Sequence, residues 1–296
     1  AYYGVLLAND AYEVYKNSYD NAVSNYNEIK NKYDKGLQAE YDLIRAVVNV
    51  SNAEPTMYDA ENSLLLAHWQ LKALLGLDLG LDIACLGTLA DYEPELMVSS
   101  SFIMDTISLE NNSTLKQIDI QYEQLKKARS SQLAMYYPSL YAQFSYVWNS
   151  MNNDFKFKNY KWDPYSVLGV SLSIPIFSGG KKVSDVKKTK MSMEQLSIQK
   201  ADIERNLTVA VKQATSQMGT CVKQYNAARA GVEQSEKGYT ITMKRYETGE
   251  GTLLDINDSQ LSMNVARLNL NQSIYNYLAA KSSLEKILGD YEQNNE

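Results

Sequence analysis

Residues 136–181 open as Tyr136-Tyr137-Pro138-Ser139-Leu140 and close as Ser173-Ile174-Pro175-Ile176-Phe177-Ser178-Gly179-Gly180-Lys181. Between these ends lie two alternating segments. In the first, Leu140, Ala142, Phe144, Tyr146 and Trp148 are apolar, while Ser139, Gln143 and Ser145 between them are polar. In the second, Leu168, Val170, Leu172 and Ile174 alternate with Gly169, Ser171 and Ser173. A period of two predicts strands with one wet and one dry face. Each run is about ten residues, the length a tilted strand needs to cross a bilayer. Tyr136, Tyr137, Trp148, Trp162, Tyr165 and Phe177 cluster at the run ends, where a membrane barrel carries its aromatic girdles. Alternation alone fits a soluble hairpin more easily, with one face packed on a helix. The flanking sequence reverses that preference.

The chain has 296 residues, 29 basic and 35 acidic, for a net charge of -6. No basic surplus argues for nucleic acid. The lone basic cluster (Lys181, Lys182, Lys187, Lys188) sits where a helix begins. Only 5 Pro and 14 Gly are present, which favours long uninterrupted helices. Cys85 and Cys221 are far apart and make no metal spacing; a disulfide between them is open only in an oxidising compartment. The single histidine, His68, rules out most histidine-based metal or nucleophile constellations. No apolar run of about 18 residues predicts a membrane helix. No nucleophile with a base, phosphate loop or cofactor motif is visible, so the reading is of no enzyme, no cofactor and no metal. Ser178-Gly179-Gly180-Lys181 lacks the spacing of a phosphate loop and is better read as a strand-to-helix turn.

Taken in order, residues 1–33 repeat apolar positions at three- and four-residue steps, as a helix does. Asp34-Lys35-Gly36 breaks the pattern, and a second helix runs from about 38 to Leu75-Gly76 with Pro55 inside it as a kink or interruption. Residues 77–104 read as a connector with short elements, and a helix from about 105 to 135, whole or broken at Glu110-Asn111-Asn112, leads to the strands. From Lys181 to Tyr246 no proline occurs. As one helix those residues would reach roughly 100 Å. Glu247-Thr248-Gly249 is the next break, before a last helix ending at Leu288-Gly289. Ala1 starts inside a helical pattern, which suggests that the N-terminus has been cut away.

An internal repeat organises all of this. Tyr33-Asp34-Lys35-Gly36 matches Tyr246-Glu247-Thr248-Gly249, Asp42 matches Asp255, Ala53 matches Ala266, Leu71 matches Leu284 and Leu75-Gly76 matches Leu288-Gly289, every pair 213 positions apart. A constant offset over some 40 residues marks two copies of one helix-turn-helix unit. The hairpin should then be repeated too, its twin lying upstream of Ala1 together with a signal sequence. Without that twin, the piece as given is expected to associate poorly or differently from the complete protein. The organisation predicted is 1–76, an incomplete first-repeat helical hairpin; 77–104, a connector; 105–137, a helix leading to the barrel; 138–175, a transmembrane hairpin; 181–289, the second-repeat helical hairpin; and 290–296, a tail.

Tyr137-Pro138-Ser139-Leu140, the 173–181 stretch, the Tyr-x-x-Gly turns at 33–36 and 246–249, and Leu253-Leu254-Asp255-Ile256-Asn257-Asp258-Ser259-Gln260 together resemble the TolC-like outer membrane efflux proteins over essentially the whole chain. The resemblance implies a mainly α fold with a β-hairpin: long antiparallel helices of an α-helical barrel, plus strands of a trimeric outer-membrane β-barrel. It implies a passive exit duct of a tripartite efflux or type I secretion system, a homotrimer in outer-membrane lipid extending into the periplasm. Its implied partners are a periplasmic adaptor and an inner-membrane pump. The competing class is a soluble helical scaffold, for which the apolar strand stripe and the repeat have no use. Cargo is not readable.

The expected sites follow. Leu140, Ala142, Phe144, Tyr146, Trp148, Leu168, Val170, Leu172 and Ile174 face the membrane. Gly36 and Gly249 form the tip turns. Asp255 and Asp258 are one helical turn apart, and in a trimer they would stack two acidic rings at a pore constriction that favours cations; the plainer reading is of acids at a helix N-terminus. Asp42 and Tyr246 match gate contacts of the family. The arginine expected two residues after Gly249 is replaced by Gly251, which leaves one arm of that gate unaccounted for, with Arg45 as a candidate substitute.

Overall fold

The computed structural model describes residues 1–98, 109–151, 153, 156, 158 and 160–289. The chain divides into two compact units, one made of residues 1–108 and 208–296, the other of 109–207.

The first unit is helical. α1 (Tyr2–Asp34) and α2 (Glu40–Leu75) form an antiparallel hairpin, and α6 (Leu253–Leu288) lies against α1. The repeat predicted from sequence is drawn in the element bounds. α2 and α6 are each 36 residues long, and their ends are 213 positions apart. Buried positions of α6 fall at Leu253, Ile256, Gln260 and Met263, the three-four-three spacing of a coiled-coil seam. Leu6, Val14, Ala22 and Ile29 of α1 recur about every two turns and meet the other helices along one stripe. Pro55 lies within α2, which runs on through it. The expected interruption is thus not a break in the helix.

Residues 77–98 are pinned to these helices. A 3-10 turn (Leu89–Tyr92) is closed by a capping box between Thr88 and Asp91, and α3 (Glu93–Val98) follows. Leu89 and Leu96 are buried. The Tyr225 hydroxyl donates to Glu93 Oε2 at 3.0 Å, and Lys281 Nζ donates to Glu95 Oε2 at 2.8 Å. The Tyr2 hydroxyl donates to the Leu86 carbonyl, and Tyr3 and Tyr92 meet edge to face at 5.3 Å.

The second unit holds α4 (Ser113–Ala134), the strands β1 (Ser139–Asn149) and β2 (Asp163–Ser173), and the start of α5 (Lys181–Glu247), whose residues from Thr208 onward belong to the first unit. α4 starts directly after the Glu110-Asn111-Asn112 break: Asn112 Oδ1 accepts from Thr114 N (2.9 Å) and Leu115 N (3.1 Å), a side-chain cap that fixes the start, and the expected beginning at 105 lies outside the described residues. Residues 99–108 lie outside the described set. α4 and α5 run antiparallel, tied by Thr189 Oγ1 to Gln132 Oε1 (2.9 Å), Lys200 Nζ to Asp119 Oδ1 (2.6 Å) and Lys182 to the Met135 carbonyl.

β1 and β2 pair antiparallel, with Leu140 opposite Leu172, Ala142 opposite Val170 and Phe144 opposite Leu168. Opposed residues share a face, so the apolar stripe read from sequence is one surface. The other face carries Ser139/Ser173, Tyr141/Ser171 and Gln143/Gly169, and then Ser145/Val167 and Val147/Tyr165. It is therefore less uniformly polar than the alternation predicted, and β2 begins five residues before Leu168.

Both cysteines are free thiols, Cys221 buried and Cys85 half-buried.

Candidate functional site

The two helical turns are built alike. α1 ends with Gly36 at φ +69, its N–H on the Tyr33 carbonyl (2.8 Å) and Leu37 N on Lys32 O (2.8 Å). α5 ends with Gly249 at φ +82, its N–H on Tyr246 O (3.0 Å) and Glu250 N on Arg245 O (2.8 Å). Both are the paired-bond helix ending that a left-handed residue permits, and glycine takes that conformation without steric cost. Under the turns, Ile29, Ala46 and Leu253 form a buried cluster, with Tyr26, Leu43 and Tyr246 packed on it.

The helix starts after the turns differ. Thr252 caps α6: its Oγ1 accepts from Asp255 N (3.2 Å), while Asp255 Oδ2 accepts from Thr252 N (2.9 Å) and Thr252 Oγ1 (2.8 Å). Those two bonds hold the Asp255 carboxyl below the usual carboxylate range, with the Arg245 charge adding to them. In the first repeat the capping position is Ala39, which has no hydroxyl. Asp42, the counterpart of Asp255, accepts instead from Gln38 Nε2 at 2.6 Å.

Asp258 is exposed one turn beyond Asp255. The two aspartates line a groove of about 300 Å³ with Arg245, Gly251, Ser259 and Ser262. The counterpart of Asp258 in the first repeat is Arg45, whose guanidinium lies 5.6 Å from the Tyr41 ring. Lys32, the counterpart of Arg245, sits 5.6 Å from the Tyr246 ring and pairs with Glu28 at 2.6 Å. Burial pushes the Tyr246 phenol up, and the charges of Glu28 and Asp42 act in the same direction against Lys32. Asp42 and Tyr246 thus come into electrostatic reach of each other, while the hydrogen bond Asp42 accepts comes from Gln38.

Gly251 has a steric reason. A Cβ there would lie 3.0 Å from Tyr246 N and 3.2 Å from the Arg245 carbonyl carbon. A side chain here, including the arginine that the resemblance led us to expect, would crowd the last turn of α5. A guanidinium lines the groove of the acid pair from Arg245 instead, on the preceding helix, where its charge acts on Asp255. Sequence reasoning passed over Arg245, although the 213 offset pairs it with Lys32. It also passed over Thr252, although Thr-x-x-Asp is a readable capping box. A polar seam beside the turns was missed as well: Asn49 Nδ2 donates to Asn257 Oδ1 (3.1 Å) and Asn264 Nδ2 to Ser18 Oγ (3.0 Å).

Among the described residues no group of three or more His, Cys, Asp or Glu side chains is placed to hold a metal, and no helix is long and apolar enough to cross a membrane. The strand pair is the apolar exception, with Leu140, Phe144, Leu168 and Val170 all exposed.

Comparison with known proteins agrees with this geometry. Residues 106–290 match the model of the outer membrane efflux protein family. The outer membrane protein TolC of Vibrio cholerae is 22% identical over 294 residues, covering 98% of this chain and 66% of the relative. The alkaline protease secretion protein AprF of Pseudomonas aeruginosa is 23% identical over 293 residues, covering 98% and 60%. The chain therefore spans somewhat less than two thirds of these relatives. The Campylobacter jejuni CmeC outer membrane channel superposes with a TM-score of 0.69 at 19% identity, over all of this chain and 62% of that one.

Proposed function

This chain belongs to the outer membrane efflux protein family, and from that premise we propose that the complete protein is a passive trimeric exit duct of a tripartite efflux or secretion system. It is an outer-membrane channel protein and not an enzyme. The observation that carries the proposal is the strand pair. Its strands are 11 residues each, long enough to cross a bilayer when tilted. Among the described residues they pair only with each other, so each keeps one open edge there, and open edges are not tolerated in lipid. Closure with strands from other copies satisfies those edges. A soluble scaffold has no need of such a surface.

In this reading Leu140, Ala142, Phe144, Tyr146, Trp148, Leu168, Val170, Leu172 and Ile174 face outer-membrane lipid. The helices continue the lumen through the periplasm, and the turns at Gly36 and Gly249 meet a periplasmic adaptor coupled to an inner-membrane pump. Asp255 and Asp258 form the constriction, and the Asp42–Tyr246 neighbourhood steadies it. Single-channel conductance in planar bilayers tests this on the full-length protein. Asp258→Asn is the clean variant, because Asp255 also caps its helix. Expected are small cation-selective openings blocked by trivalent cations, with the block weakened in the variant. A folded trimer that conducts nothing overturns the duct, and unchanged block moves the constriction away from Asp258.

A further inference from the structure

The sites above leave one strongly charged region unused. It lies where α4 and α5 meet the strands. Over residues 123–134 and 181–194 the chain carries eight basic side chains (Lys126, Lys127, Arg129, Lys181, Lys182, Lys187, Lys188, Lys190) against three acids, Glu123, Asp185 and Glu194, in a protein whose net charge is -6, and of the eight Lys126 pairs with Glu123 at 3.0 Å. At 1.5 Å per helical residue, all eight lie within about 14 Å of the strand-side helix ends. Lysines in the first turns of α5 oppose the positive end of its dipole, so helix stability does not explain them. Pairing does not explain them either: Lys181, Lys187, Lys188 and Lys190 are exposed and take part in none of the ion pairs among the described residues. Lys181 and Lys188 are seven residues apart and share a side of the helix; Lys187 and Thr189 flank that side about 100° to either hand, and Thr189 is buried against Gln132 of α4.

Between these charges and the apolar strand surface stands a belt of exposed apolar groups. Ile176 is 95% exposed and Phe177 90%; Tyr136 and Tyr137 lie opposite, and Lys182 Nζ sits 5.6 Å from the Tyr136 ring. Going outward from the strands, the order is aliphatic stripe, aromatic belt, cationic collar. That sequence matches hydrocarbon, interface and headgroup layers. We infer that the strand-proximal ends of α4 and α5 form a basic collar that binds anionic phospholipid headgroups of the leaflet they enter, selecting them over zwitterionic lipids.

The inference rests on the hairpin lying in the membrane, as proposed above, and its test separates the two. The full-length protein is reconstituted in phosphatidylcholine vesicles carrying spin-labelled phosphatidylglycerol or phosphatidylcholine, and the motionally restricted lipid fraction is read for each label. A lysine near an anionic surface is worth roughly fivefold in affinity. Partial engagement then gives wild type a preference for phosphatidylglycerol of at least about threefold, falling as salt is raised. Lys181→Gln/Lys187→Gln/Lys188→Gln is expected to lower the ratio by at least about twofold, and the triple arginine variant to retain it. Because these side chains are exposed and unpaired, the glutamine variant should still insert and conduct. A conducting wild type that binds both lipids equally overturns the collar and leaves the duct intact. A preference abolished by inorganic phosphate, but not by chloride at equal ionic strength, overturns it in favour of a free-phosphate site. A protein with no restricted lipid of either kind overturns the collar along with the membrane placement of the hairpin.

Discussion

Replacing Gly251 by alanine isolates the steric claim on which the arrangement of the tip depends. Alanine for glycine ordinarily stabilises by about 0.4–1 kcal/mol, because the unfolded chain loses freedom. At Gly251 the added Cβ would meet backbone at 3.0, 3.2 and 3.3 Å, where carbon contacts are comfortable at about 3.5–4.0 Å. The atoms it meets belong to the last turn of α5 and cannot swing aside as a side-chain tip would. Moving that turn strains the Glu250 and Gly251 N–H bonds to the Arg245 carbonyl (2.8 and 2.9 Å). Losing much of one such bond costs about 1 kcal/mol, and the overpacking about 1 more. The net expectation is destabilisation of about 1–1.5 kcal/mol. Gly231, in the interior of α5 with nothing within 4 Å of its Cβ position, is the control. There, alanine should stabilise by about 0.5–1 kcal/mol. The assay is the midpoint of denaturant unfolding of the full-length protein in detergent, with Gly251→Ala and Gly231→Ala compared at constant m-value. Shifts of equal sign and size at the two positions would refute the close approach at Gly251, and with it the reason given for the missing arginine.

Other expectations follow from contacts already described. Thr252→Val removes both hydroxyl bonds to Asp255 and should cost about 1 kcal/mol. The Asp255 carboxyl is depressed in the folded state. The stability it contributes is therefore present above the ordinary carboxylate pKa and lost as pH falls through the lower folded value. The slope of thermal stability against pH on the acid side, below about pH 4, should be shallower in the valine variant. In a double-mutant cycle Asn49→Ala and Asn257→Ala should couple by about 0.5–1.5 kcal/mol, and strictly additive losses would remove the amide bond between them. Tyr225→Phe deletes a bond from a fully buried hydroxyl to the Glu93 carboxylate. It should cost about 1.5–3 kcal/mol in unfolding free energy, whereas an unchanged midpoint would mean that this bond adds nothing to the hold on residues 77–98.

The repeat was legible because its signal is a spacing, and spacing survives substitution: Gly36 and Gly249, then Gly76 and Gly289, punctuate the helices at the offset seen in the residues. The strands were legible because apolar side chains opposite each other share one face. Tyr141 and Val147 broke that pattern, because they put apolar groups on the face that also carries Ser139 and Gln143. The start of α4 was legible only as a break at Glu110-Asn111-Asn112, because Asn112 acts through a side-chain oxygen that periodicity does not weigh. That Asp255 and Asp258 lie one helical turn apart was legible from their i, i+3 spacing, while the constriction assigned to them came from the resemblance. Arg245 was not legible, because it faces Asp255 across a turn whose geometry is set by the absence of a side chain at Gly251.

The two helical hairpins share a backbone but not a charge. At equivalent places the second carries Arg245, Asp255 and Asp258, while the first carries Lys32, Asp42 and Arg45. Where one has acid-acid, the other has acid-base. In the proposed trimer the rim would therefore be sixfold in shape and only threefold in electrostatics, with neighbouring clefts alternating in sign. A partner with six identical copies would meet two kinds of berth, so that one set of its contacts would respond to ionic strength and pH more steeply than the other.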